Sequence, residues 1–182
     1  MGAKDRNHAM HDSAPGHRVS PGVALPNARI HGLVDGERPL FAFFLIKVMT
    51  PEGPRWGARS GGDGVNDLDL YGALDVQAEI LRQKLVSEWF YEDDDEDADE
   101  SVADRSESRL PIDDVLGVLD IEALDSDCAV EFVFVLIKTL SENGTSWSFR
   151  TSAAPVHEEL LGALVAQMMR CRETLAGSLG QI

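Results

Sequence analysis

Residues 44–60, FLIKVMTPEGPRWGARS, align without a gap to residues 135–151, VLIKTLSENGTSWSFRT, at a shift of 91 positions. The shift pairs Leu45 with Leu136, Ile46 with Ile137, Lys47 with Lys138, Gly53 with Gly144, Trp56 with Trp147 and Arg59 with Arg150. After a one-residue deletion the shift becomes 90, and Leu70, Gly72, Ala73, Leu74, Gln77, Arg82 and Leu85 meet identical residues at 160, 162, 163, 164, 167, 172 and 175. Thirteen identities thus fall in the 41 positions from Leu45 to Leu85. Such self-similarity constrains the fold, because whatever unit one copy makes the other should make too.

Each copy reads as a β-hairpin followed by a helix. Phe41 to Met49 and Val130 to Leu140 are rich in β-branched and aromatic residues and are bounded by turn formers, which predicts strands. Asn143-Gly144 predicts a two-residue type I′ turn, and Pro51-Glu-Gly-Pro54 takes its place in the first copy. Both faces of these strands are apolar, so each needs a cover on two sides. One cover should be the helix of the same copy; the other should come from the sister copy or a partner chain. The helices carry Leu70, Leu74, Ala78, Leu81 and Leu85 in one copy and Leu160, Leu164, Met168, Cys171 and Leu175 in the other, with Asn66 as N-cap of the first and Pro155 ahead of the second.

An additional strand is expected before each hairpin, Ala28 to Val34 and Val115 to Ile121. The second stretch equally suits a short amphipathic helix capped by Asp113 or Asp114. The expected fold is therefore α+β: a tandem β-hairpin–helix unit, or βββα unit, forming a pseudo-two-fold body. The divisions are a loose tail at 1–20, a first copy at 21–91, an acidic linker at 92–109 and a second copy at 110–182.

That linker dominates the charge. The 182 residues carry a formal −16, of which 92–109 hold −8 and 110–129 hold −6. Glu92, Asp93, Asp94, Asp95, Glu96, Asp97, Asp99 and Glu100 are interrupted only by Ala98. A block of like charge repels itself and buries nothing, which predicts a disordered tether. It also offers an electrostatic surface to a basic partner. Direct nucleic-acid binding is disfavoured, since it requires a cationic stripe to meet phosphates.

Little else points to chemistry. His8, His11 and His17 cluster in the tail without an orienting second layer of acids, so no metal site is expected. Ser60-Gly-Gly-Asp-Gly64 lacks the pattern and the lysine of a phosphate loop, and the sister copy has Ser152-Ala-Ala-Pro155 instead. No G-x-S-x-G element occurs, and no cofactor or catalytic residue is expected. Cys128 and Cys171 have no paired spacing and read as packed thiols. No apolar run reaches the roughly 20 residues of a membrane span, and the N-terminus lacks a signal core, so a cytoplasmic location is expected.

The matched cations Lys47, Arg59, Lys138 and Arg150 are the candidate partner-binding residues. Each could instead form an ion pair with the sister unit or lie along apolar surface. These features together suggest a non-enzymatic protein-interaction module, an adaptor, chaperone-like protein or inhibitor, with a homodimer compatible with it. The alternative is an acidic decoy that imitates nucleic acid and blocks a DNA- or RNA-binding protein.

Overall fold

The run Phe41 to Val48 has no polar residue except Lys47, and its pleat sends alternate apolar side chains to opposite faces of a sheet. The computed structural model describes residues 17–90, 109–125 and 128–179. Its elements are β1 (Arg18–Val19), α1 (Pro21–Ala24), β2 (Arg29–Ile30), β3 (Arg38–Thr50), β4 (Gly53–Gly62) and α2 (Asp67–Phe90). They are followed by β5 (Leu110–Pro111), α3 (Ile112–Leu116), β6 (Ile121–Glu122), β7 (Ala129–Ser141), β8 (Gly144–Thr151) and α4 (His157–Leu179). The acidic residues Glu92 to Glu100, most of the expected tail, and His8 and His11 lie outside the described residues. The end of the expected tail does have structure, since Arg18–Val19 forms β1.

Four strands make one antiparallel sheet in the order β4-β3-β7-β8. The two most apolar strands are thereby central, paired from Arg38↔Leu140 to Met49↔Ala129. One face gathers Ala42, Phe44, Ile46, Val48, Val133, Val135 and Ile137. The other gathers Phe41, Phe43, Leu45, Phe132, Phe134 and Leu136 under Leu70, Leu74, Ala78, Leu160, Leu164 and Met168 of the long helices.

The first face is covered by the segments before each hairpin, and here expectation and structure part. Ala28 to Val34 yields only the two residues of β2, and Val115 to Ile121 reaches a strand only at Ile121, the first residue of β6. Nor is the second stretch the expected helix: a single helical turn spans Ile112–Leu116, overlapping only its start, with Pro111 rather than Asp113 or Asp114 at the N-cap position. Pro111 brings a fixed φ of −50°, Asp113 and Asp114 favour a helix start, and Gly117 closes the turn on Asp113 O. Ile112 and Leu116, four apart on one side of that turn, are both buried. The pre-hairpin segments thus make arches of strand, single helical turn and strand, and they interlock. β1 of the first half pairs with β6 of the second, and β5 of the second pairs with β2 of the first.

Neither hairpin closes as a type I′ turn. Among the described residues no non-glycine has positive φ, so Asn143 does not take the required conformation. Instead Gly53 and Gly144 lie at φ 114° and 106°, and a hydroxyl bridges each turn. Thr50 Oγ1 accepts from the Glu52 N–H and donates to Gly53 O, and Ser141 Oγ repeats both bonds with Asn143 and Gly144. Asn66 does cap α2: its Oδ1 accepts from the Asp69 N–H at 2.8 Å.

Candidate functional site

The four matched cations are all engaged inside the chain, each by the opposite half. Lys47 Nζ lies 2.7 Å from Glu159 in the first turn of α4 and 3.7 Å from Glu131. Lys138 Nζ lies 3.7 Å from Asp69 in the first turn of α2, donates to Gly64 O, and sits over the Trp147 ring. Glu159 and Asp69 occupy corresponding places on the two helices. Arg59 Nε stands 3.6 Å from Glu122, the last residue of β6, and Arg150 donates twice to Gly32 O just after β2.

The hydrogen bond to Glu159 holds the Lys47 ammonium above its ordinary pKa of 10.5 against a smaller opposing effect of burial, with the charges of Glu159 and Glu131 adding to it. The tryptophans follow the same exchange. Trp56 meets Phe132 edge-on at 6.0 Å, and Trp147 meets Phe41 at 6.2 Å. The alternative of an ion pair with the sister unit therefore describes the two lysines, and the tryptophans are core anchors. A partner-binding role for Lys47, Arg59, Lys138 and Arg150 would require these contacts to be given up first.

Two further hollows each touch β4. One, of about 160 Å³, is walled by Lys47, Trp56, Glu131, Phe132, Glu159 and Leu160, and its one ammonium is already paired with both carboxylates. A shallower one of about 500 Å³ beside Arg18, Asp63 and Asp120 is narrowed where Arg18 donates to Asp120 O. Cys171 packs against the helix-side core, and burial, helped by the charge of Asp67, pushes its thiol up from 9.0. A thiol so shifted holds little thiolate at neutral pH and is a poor nucleophile.

A different surface stands out on the β8 side. Phe134 and Phe149 stack at 5.9 Å, and with Ile80, Leu81, Pro155, His157 and Leu160 they wall a mainly apolar cavity of about 210 Å³ between α2 and β8. Phe149 is 44% exposed and Ile80 46%, with Val76 one turn along α2 at 57%. Next to them runs the outer edge of β8, which meets no further strand among the described residues.

Sequence periodicity missed this surface because the stripe that defines α2 is its core-facing one. A signal was present in the alignment of the two segments, at positions where the aligned residues differ. Ile80 aligns with Arg170, Val76 with Ala166, Phe149 with Ala58 and Thr145 with Pro54. Comparison with known proteins finds no matching family model, no similar curated protein and no similar solved structure.

Proposed function

We propose that this chain acts by binding protein, without catalysis, through the face formed by β8 and α2. The observation that carries the reading is the half-exposed Phe149 beside Ile80, at the mouth of an apolar cavity and along an unpaired strand edge. Large apolar side chains gathered beside free backbone donors and acceptors are what a partner strand or helix can use. Among the described residues no further strand meets this edge, and Phe149 and Ile80 stay nearly half exposed.

The body around that face is read as a tandem duplication. Lys47 with Glu159 answers Lys138 with Asp69, Trp56 with Phe132 answers Trp147 with Phe41, and β1·β6 answers β5·β2. In this reading the acidic residues Glu92 to Glu100 act as a spacer and solubiliser between the copies, and the matched cations hold the copies together.

The test is binding by purified wild type and two variants. A protein ligand retained by wild type should be lost by Phe149→Glu and kept by Arg55→Ala, which alters the opposite edge. Retention by Phe149→Glu together with loss on Lys138→Ala, in a variant that remains folded, would return the binding role to the cations.

A further inference from the structure

We propose that the partner on this face is a second copy of the chain, joined β8 to β8 about a two-fold axis with α2 packed on its twin. The inference rests on the reading that the β8 and α2 face binds protein, and it names the occupant.

The first ground is the difference between two otherwise matched edges. β4 begins Gly53-Pro54-Arg55, and proline and charge on an edge deter strand addition. The β6 arch also crosses β4, so closely that a Cβ on Gly61 would collide with the Asp120 carbonyl. At the matching places β8 has Thr145 and Ser146, free of charge and of proline. The helices diverge in the same sense, for α4 carries Arg170 where α2 carries Ile80. The β2 arch likewise meets β8 near Arg150, so the proline, the charge and the helix substitution are what guard the β4 side and leave the β8 side open. A body with one open edge closes on itself as a pair, whereas two open edges would permit endless stacking.

The second ground is spacing. Four strands at about 4.8 Å span about 19 Å, close to two helices at about 9–10 Å each. An eight-stranded sheet made by joining two copies would therefore carry four helices side by side, with α2 at packing distance from its twin. That union covers Phe149, Ile80 and Val76 of both copies together. A single added peptide strand would satisfy the β8 backbone but leave the outer side of α2 bare.

The third ground is charge. Two bodies of formal charge −16 repel, which favours contact along the strand edge that carries no acid. From Asn143 to His157 the chain has no acidic residue, although 32 of its residues are acidic. That stretch includes the whole of β8.

The experiment uses the full chain, in sedimentation over about a hundredfold range of micromolar concentration, and a variant with a photo-crosslinking phenylalanine analogue at position 149. Wild type should sediment at twice the 19.9 kDa of one chain, and the pure protein should crosslink to itself. Ile80→Arg, which copies the sister helix, and Phe149→Glu should each weaken self-association at least tenfold with unchanged circular dichroism, while Arg170→Ala leaves it intact. A wild type that stays monomeric throughout, or a dimer indifferent to both substitutions, overturns the proposal. If position 149 crosslinks only to a different protein in extract, and Ile80→Arg abolishes that product, the second-copy inference fails and the binding reading stands. If it crosslinks to nothing, both fail.

Discussion

Lys47 and Lys138 illustrate how one residue type serves two ends of the same fold. Each ammonium stands at the end of an apolar strand face, under the first turn of the helix from the other half, where a carboxylate already favours the helix N-terminus. Lys47→Met should lower the urea midpoint. The contribution of its pair is complete below the ordinary lysine range, because the folded-state pKa is raised, and it is lost as pH climbs through that raised value. Wild type and Lys47→Met should therefore converge in urea titrations carried to strongly alkaline pH. A larger effect belongs to the ring in the middle of the sheet. Phe44 is fully buried among the residues under the arches, and Phe44→Ala should cost about 3–5 kcal/mol in equilibrium unfolding.

At the level of elements, caps and crossings decide the geometry. Asn66→Ala removes the bond to the Asp69 N–H and should cost about 1 kcal/mol. Two glycines of β4 make a controlled comparison. Gly61→Ala, under the β6 arch, should destabilise by about 1–3 kcal/mol through overpacking. Gly57→Ala, with nothing within 4 Å of its added methyl, should be neutral or gain a few tenths of a kcal/mol. Thermal or urea unfolding of both would separate the crossing from mere strand propensity. The hairpins, the long helices, the Asn66 cap and the two-sided burial of Phe41 to Val48 were legible in sequence, since each follows from a local period or cap. The arches were not. Their strands are two residues long and pair only across halves, so no period announces them, and Ile112 to Leu116 shows the same apolar spacing whether read as strand or as turn of helix. Arg59 and Arg150 were found as matched residues, but their partners, Glu122 and the Gly32 carbonyl, sit far off in the chain. The β8 and α2 face was hidden for another reason: it lies at positions where the two aligned segments differ, which their shared pattern does not mark.

For the molecule as a whole, exchange between halves is the recurring pattern. Arches, lysines, arginines and tryptophans all reach into the other half. No helix among the described residues is long and apolar enough to cross a membrane. Residues 17–90 and 109–179 prepared as separate fragments should each lack stable structure, because each would hold one central strand without its neighbour. Mixed in equal amounts they should recover the far-ultraviolet spectrum of the intact chain; independent folding of either fragment would refute this view of the body.

The pairing of β3 with β7 also sets a timetable for synthesis. β3 is complete at Thr50, but the strand that covers its inner side ends at Ser141. At about 5–20 residues per second, the nascent chain spends several seconds with one greasy flank unmet. During that interval newborn chains on the same messenger can trade partners, the β7 of one filling the place meant for that of its neighbour.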